Sequence, residues 1–249
     1  MMQIYRRMIH SVLYVLYLFR KLTGTGPFGP DTARYIPETI QSDQNPLKSA
    51  LWKHYVKQFH GSSCSVASVV CVVNALREIM GQPSPITQMQ ILNDVSAGNW
   101  KKRMSPEGDN GRRGLPLALL GKVVKASLDT YQIPCQHMEI VEAKKGAGAS
   151  EAVQAGLWKR LQEFEDGTGV MIAHFDQGVY VKELNIPHIS PVGGFDAKTG
   201  KVTILDVDSY QKHPYEISFD TFYKGLSSDY HRLFKPFGYT GGGYIFIRL

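Results

Sequence analysis

The sequence predicts an α+β protein, with helices in its first half and an antiparallel sheet in its second half. Apolar residues recur at helical spacing up to residue 165, whereas short runs of β-branched and aromatic residues between turn signals follow from residue 170. The chain has 249 residues, 43% of them hydrophobic, which is enough to bury a large core. Helices segregated from strands in this way are typical of an α+β domain, with the functional site expected between the two halves.

The first 29 residues form a separate segment that ends in a glycine-rich linker, and one globular domain is predicted over residues 30–249. Apolar residues run over 8–19, between basic pairs at 6–7 and 20–21. This run is shorter than the roughly 20 apolar residues that cross a bilayer. Three interpretations stay open: a signal-peptide core, an interfacial amphipathic helix, or a helix packed on the domain or on a second subunit. The predicted location is membrane-associated or exported through this segment, and otherwise cytoplasmic.

Charge and cysteine content exclude several classes of function. The net charge is +6, but the basic residues are scattered, which predicts weak attraction to anionic surfaces or substrates and no nucleic-acid recognition. The three cysteines and eight histidines show no metal-ligand spacing, and three cysteines cannot form a disulfide framework. We therefore expect no metal or cofactor bound by the protein.

The most apolar helical pattern covers residues 64–80 and ends at Gly81 and Pro83. Because apolar residues nearly encircle this helix, it should be buried. Further helices are predicted over residues 47–58, 87–95, 115–128 and 151–165, and strands over 170–175, 202–207 and 244–249.

Cys64 opens this apolar helix and follows a polar turn over residues 60–63. The unpaired N–H groups of a first helical turn carry partial positive charge, which favours the thiolate form of a cysteine. Cys71 lies among valines on the same helix, and both Cys71 and Cys135 are interpreted as core residues. Cys64 is therefore the candidate nucleophile.

His188 and Asp206 follow far downstream, so the chain order is cysteine, histidine, aspartate, as in papain-like enzymes. His188 precedes Ser-Pro and Gly-Gly pairs, which indicate a fixed backbone near a ligand. A buried core histidine is the alternative. Asp208 competes with Asp206 for the third role, since residues two apart on a strand face the same side.

Several segments resemble the phytochelatin synthase family, a glutathione-directed branch of the papain-like cysteine peptidases. The shared features are Gln58 six residues before Cys64, Ala67-Ser68 after it, and the segments 188–195 and 204–207. The resemblance covers residues 30–249 and implies a papain-like fold, with the nucleophile helix in the helical half. The chain lacks the cysteine-rich C-terminal extension of the plant enzymes, which favours a bacterial-type, mainly hydrolytic homologue.

The resemblance implies a role for each residue of the candidate site. Cys64 is the nucleophile that is acylated, His188 the general base and acid, Asp206 the group that orients the imidazole, and Gln58 an oxyanion donor. The implied reaction attacks the Cys–Gly bond of glutathione, releases glycine and passes the γ-glutamylcysteinyl group to water or to a second glutathione. A heavy-metal ion would enter only as a thiolate complex of the substrate.

Substrate-binding candidates are Gln177, Ser190, Gly193 and Tyr210. Two arginines that the family commonly uses to hold substrate carboxylates are replaced, by Gln177 and Ser209. Lys212 and Arg113 are the first basic residues to consider in their place.

Two alternatives stay open, the first of them because of these replacements. One is a thiol hydrolase or amidase that acts on another peptide or protein, and the other is an inactive binding module. The expected partner is a glutathione-like thiol peptide, and peripheral membrane contact through the N-terminal segment and a homodimer stay open.

Overall fold

The computed structural model describes residues 2–26, 28–37, 45–82, 84–143, 149–182, 184–228 and 234–249. One apolar cluster fills the space between a central sheet and the helices packed against it. The predicted α+β class is confirmed, with most helical residues before residue 165 and most strands after it.

The helices of the described residues are α1 (Met2–Thr23), α2 (Pro46–Lys53), α3 (Cys64–Ile79), α4 (Gln88–Asp94), α5 (Trp100–Arg103), α6 (Leu117–Thr130), α7 (Ala149–Glu165), α8 (Gln177–Val181) and α9 (Phe219–Leu226). Capping side chains explain where several of these helices begin. The side chains of Asn45, Thr87 and Ser218 cap α2, α4 and α9 by accepting backbone N–H groups. The predicted helix over 47–58 ends at Lys53, and the chain then runs extended toward α3.

The strands are β1 (Arg34–Tyr35), β2 (His137–Glu142), β3 (Gly169–Asp176), β4 (Pro187–Asp196), β5 (Lys201–Ile204), β6 (Tyr215–Ser218) and β7 (Gly243–Arg248). They form one sheet in the order β1-β6-β5-β4-β3-β7-β2, and all neighbours are antiparallel. Strand β3 is buried along its whole length, which places it at the centre of the core.

Two strands near the site differ from the sequence prediction. Strand β4 is not predicted, because its two prolines and the glycine pair 193–194 are turn signals. A bulge between Val192 and Gly194 accommodates part of this pattern within the sheet. The predicted strand 202–207 ends at Ile204, so Asp206 and Asp208 lie beyond it.

Helix α1 packs one face against the segment before β7. Ile9 and Leu13 join a small apolar cluster with Phe237 and Tyr239, and Nη1 of Arg20 donates to Oδ1 of Asn185 at 3.0 Å. Among the described residues, no helix combines the length and apolarity that a membrane span requires.

Candidate active site

Cys64 is the first residue of α3 and is partly buried. Strand β4 lies against this helix, and the two elements are joined by the buried hydroxyl of Ser68. Its Oγ lies 2.8 Å from the carbonyl oxygen of Cys64 and 3.0 Å from that of Ile189. Because Ile189 is the neighbour of His188, this contact fixes the position of the helix that carries the thiol relative to the strand that carries the imidazole.

His188 lies on β4, only 4% exposed, with Nε2 2.8 Å from Oδ1 of Asp206. The ring of Phe175 meets the imidazole edge to face, with 5.4 Å between the centroids. Since Nε2 faces Asp206, Nδ1 is the ring nitrogen left for the hydrogen bond with Cys64. Burial alone lowers the pKa of His188, but Asp206 and Cys64 outweigh it and hold that pKa well above 6.5.

Asp206 is fully buried, and hydrogen bonds satisfy both of its carboxylate oxygens. Oδ1 also accepts the backbone N–H of Asp208 at 2.9 Å, and Oδ2 accepts the hydroxyl of Tyr215 at 2.7 Å. Burial raises the pKa of Asp206, but the imidazolium of His188 and these donors lower it further than burial raises it. The result is an ion pair with fixed geometry.

Asp208 is turned away from the imidazole. Its Oδ2 accepts Nε2 of Gln177 at 2.8 Å, and its Oδ1 accepts the N–H of Tyr210 at 3.1 Å. Of the two candidate aspartates, Asp206 is therefore the one in contact with His188.

Tyr215 is a contact of Asp206 that the sequence analysis misses. It lies on β6, fully buried, and burial together with the negative charge of Asp206 raises the pKa of its hydroxyl well above 10. The hydroxyl therefore stays protonated and donates. A tyrosine that alternates with polar neighbours on a short strand carries no signal for this role.

Gln58 lies beside the thiol because the chain before α3 is fastened to the chain after β5. The N–H of Gln58 donates to the carbonyl oxygen of Val207 at 2.7 Å, and Nζ of Lys57 donates to that of Asp206 at 2.8 Å. Oε1 of Gln58 is buried and has no hydrogen-bond partner among the described residues. At the adjacent helix start, the side chain of Ser63 makes no capping hydrogen bond. The first N–H groups of α3 are therefore donors that can face a developing oxyanion, and the donor that the Gln58 side chain offers is its Nε2 amide, not its Oε1.

These residues open onto a cavity of about 850 Å³. Cys64, His188 and Gln58 lie on its wall, and Arg7, His10 and Ser11 of α1 line another side. The cavity is thus bounded by the N-terminal helix as well as by the domain.

Arg113 and Gly114 line the same cavity, next to Tyr239. Gly114 has φ +73°, and a Cβ there would lie 2.4 Å from the hydroxyl oxygen of Tyr239, so this position requires glycine. Burial and the positive charge of Arg113 lower the pKa of His60. Arg113 thus places a positive charge at this part of the wall.

Two of the four predicted substrate-binding residues lie at the cavity, Gln177 and Tyr210. Ser190 and Gly193 are not among the residues that line it. Ser190 is fully buried, and its Oγ accepts the N–H of Val207 at 3.2 Å. At Gly193, the space that a side chain would occupy is filled by Leu205, because a Cβ there would lie 2.6 Å from Cγ of Leu205. The carbonyl oxygen of Gly193 accepts Nε1 of Trp52 at 2.8 Å. Both residues serve packing between strands.

The two basic residues considered for the substrate carboxylates lie in different places. Arg113 lines the cavity, whereas Lys212 is exposed and outside its wall. Arg7, His10 and Tyr239 are lining residues that the sequence analysis does not identify, because they reach the site only through packing of α1 and of the chain before β7. Within the described ranges, no group of three or more His, Cys, Asp or Glu residues could hold a metal ion.

A thiol on the first turn of a buried helix faces an imidazole on an antiparallel sheet, and a carboxylate just beyond the neighbouring strand contacts that imidazole. This is the arrangement of the papain-like α+β proteins. A family model described as Phytochelatin synthase matches residues 30–239. The chain belongs to the phytochelatin synthase family, and this membership implies a glutathione-processing cysteine peptidase or transferase. No curated protein matches the chain.

Proposed function

We propose that this protein cleaves the Cys–Gly bond of glutathione through a γ-glutamylcysteinyl thioester on Cys64, and passes the acyl group to water or to a second glutathione. One observation carries the proposal. His188 hydrogen-bonds Asp206 through Nε2 and Cys64 through its other ring nitrogen, at a cavity that Gln58 also lines. Family membership supplies the substrate class.

Acylation follows from these contacts. The thiolate of Cys64 attacks the carbonyl carbon of the Cys–Gly bond, and the oxyanion that forms accepts hydrogen bonds from Gln58 and the start of α3. His188 gives its proton to the nitrogen of the leaving glycine as the C–N bond breaks. Asp206 keeps the ring oriented and stabilises its charged form.

Deacylation reverses the proton transfers. His188 takes a proton from the attacking water, or from the α-amino group of a second glutathione. The new bond to the acyl carbon forms as the thioester C–S bond breaks, and the Cys64 thiolate is restored. Water yields γ-glutamylcysteine, whereas glutathione yields a peptide extended by one γ-glutamylcysteinyl unit.

Arg113 is the side chain that we propose for the substrate carboxylates. It lines the cavity and contributes positive charge there. Gln177, at the position where the family commonly has an arginine, is instead hydrogen-bonded to Asp208.

The test is intact-protein mass spectrometry of the full chain incubated with glutathione, with product analysis in parallel. We expect an adduct whose mass is glutathione minus glycine, mapped to Cys64, together with released glycine. Cys64→Ala should abolish both the adduct and the glycine. Cys71→Ala is the matched control, because Cys71 is fully buried on the same helix, and it should keep both.

Other results would overturn the proposal. An adduct on Cys71 or Cys135 would refute the nucleophile assignment. Alkylation of Cys64 by iodoacetamide without any glycine release from glutathione would instead favour another peptide substrate. Glycine release that persists in Cys64→Ala would exclude the thioester mechanism.

A further inference from the structure

The outer face of α1 carries an apolar stripe. Its members recur at intervals of three, four or seven residues, so they lie on one side of the helix. They are Ile4, Met8, Val15, Phe19 and Leu22, and each is between 61% and 86% exposed. The opposite face, with Ile9 and Leu13 at 5% exposure, is the one buried against the domain. The stripe therefore has no role in holding α1 in place.

Basic side chains lie at both ends of this stripe, and α1 contains no acidic residue. Arg7 is exposed near the first end and Lys21 near the second. At the second end Lys21 also borders a hollow of about 530 Å³ together with Tyr17 and Lys182, which comes from the domain. An apolar stripe bounded by cations and by a tyrosine is the chemistry that binds at an anionic lipid interface.

A second copy of the chain fits this face less well. Pairing two α1 helices in parallel would place like basic ends together, and antiparallel pairing would do the same because both ends are basic. Anionic lipid headgroups complement both ends at once, and the acyl region accepts the stripe between them.

We propose that α1 is an interfacial helix, docking the protein peripherally on an anionic membrane through the stripe and the basic side chains at its two ends. This inference goes beyond the reaction proposed above and does not depend on it. Since Arg7, His10 and Ser11 of the same helix line the cavity, docking would hold the cavity close to the lipid surface.

The experiment is co-sedimentation of the full chain with vesicles of phosphatidylcholine and phosphatidylglycerol, and with vesicles of phosphatidylcholine alone. Phe19→Gln should weaken binding to the anionic vesicles by roughly tenfold, because a large apolar side chain no longer enters the interface. Met89→Gln is the matched control, since Met89 is comparably exposed on α4, and it should bind as the wild type does. Lys21→Ala with Lys182→Ala should weaken anionic binding and reduce its dependence on salt.

The proposal is overturned if the wild type does not sediment with anionic vesicles, or if Phe19→Gln and Met89→Gln bind equally. It is also overturned if sedimentation velocity shows a dimer that Phe19→Gln dissociates, because a second copy would then cover the stripe. Equal binding to neutral vesicles would contradict the role given to the lysines. Glutathione turnover without vesicles should be unchanged in Phe19→Gln, which separates this test from that of the reaction.

Discussion

The two aspartates near the imidazole differ in what they contact, although they lie only two residues apart. Asp206 accepts Nε2 of His188, whereas Asp208 accepts Gln177. Asp206→Asn removes the negative charge that favours the imidazolium, so the pKa of His188 should fall. We expect kcat/KM to drop by roughly 10²–10⁴-fold and the alkaline limb of its pH profile to move to lower pH.

The control for this prediction is Asp208→Asn, which should leave the alkaline limb in place. A full pH profile of glutathione cleavage for both variants checks the assignment. If Asp208→Asn moved the limb and Asp206→Asn did not, Asp208 would be the orienting group.

Gln58 should act on the transition state and not on substrate binding. Gln58→Ala removes one oxyanion donor, and we expect kcat to fall by roughly 10²–10³-fold with KM little changed. Steady-state kinetics with glutathione separate the two parameters, and alkylation of Cys64 should proceed at nearly the wild-type rate. A higher KM at constant kcat would make Gln58 a binding residue instead.

Arg113 should govern affinity for a substrate with carboxylates. Replacing it by glutamine removes a charge-assisted contact worth about 1.5–3 kcal/mol, so KM for glutathione should rise by roughly 10- to 100-fold. Arg112→Gln is the matched control, because Arg112 is adjacent, exposed and not part of the cavity wall. Equal KM values in the two variants would contradict the role of Arg113.

Gln177→Arg would not supply a free guanidinium for the substrate carboxylates. A guanidinium at this position would lie beside the Asp208 carboxylate that Gln177 contacts, and the pair would neutralise much of the added charge.

At the scale of elements, Ser68 connects the nucleophile helix to the histidine strand. Ser68→Ala would leave the carbonyl of Ile189 buried without that donor, so the free energy of unfolding should fall by about 1–3 kcal/mol. Activity should fall as well, because α3 and β4 carry Cys64 and His188.

Ser127 offers a matched comparison. It is also a buried helical serine, and its Oγ donates to the carbonyl four residues before it, but its hydrogen bond stays within α6. Ser127→Ala should lower stability by less and leave kcat unchanged. Chemical denaturation and kinetics of both variants check this, and equal effects would show that the helix–strand contact contributes nothing specific.

For the whole molecule, the buried ion pair predicts how stability depends on pH. The raised pKa of His188 contributes stability that is complete below pH 6.5 and is lost as pH rises through the folded value. The lowered pKa of Asp206 contributes stability that is present above pH 3.8 and is lost on acidification. Both contributions are therefore present together between about pH 4 and 6.5.

Thermal unfolding across pH 3–10 tests this expectation. The difference in Tm between the wild type and Asp206→Asn should be greatest inside that window and decrease on both sides. A difference independent of pH would show that the pair does not ionise as the geometry indicates.

The sequence alone determined the α+β class, the buried helix that begins at Cys64, and the order of cysteine, histidine and aspartate. These features depend on hydrophobic periodicity and on motifs within a few residues of each other. The same motifs indicated membership of the phytochelatin synthase family, and the family match over residues 30–239 confirms that membership.

Only the tertiary structure decided which groups meet. Strand parity did not separate Asp206 from Asp208, and only the position in the shared motif favoured Asp206. In the structure β5 ends at Ile204, and the turn that follows directs one carboxylate to His188 and the other to Gln177. Ser190 belongs to the motif around His188, yet its buried hydroxyl accepts the N–H of Val207 instead of reaching the cavity. Helix α1 reaches the cavity through contacts with Phe237 and Tyr239, more than 200 residues away in the chain. Such contacts depend on register and packing between distant segments, and local sequence patterns do not encode these directly.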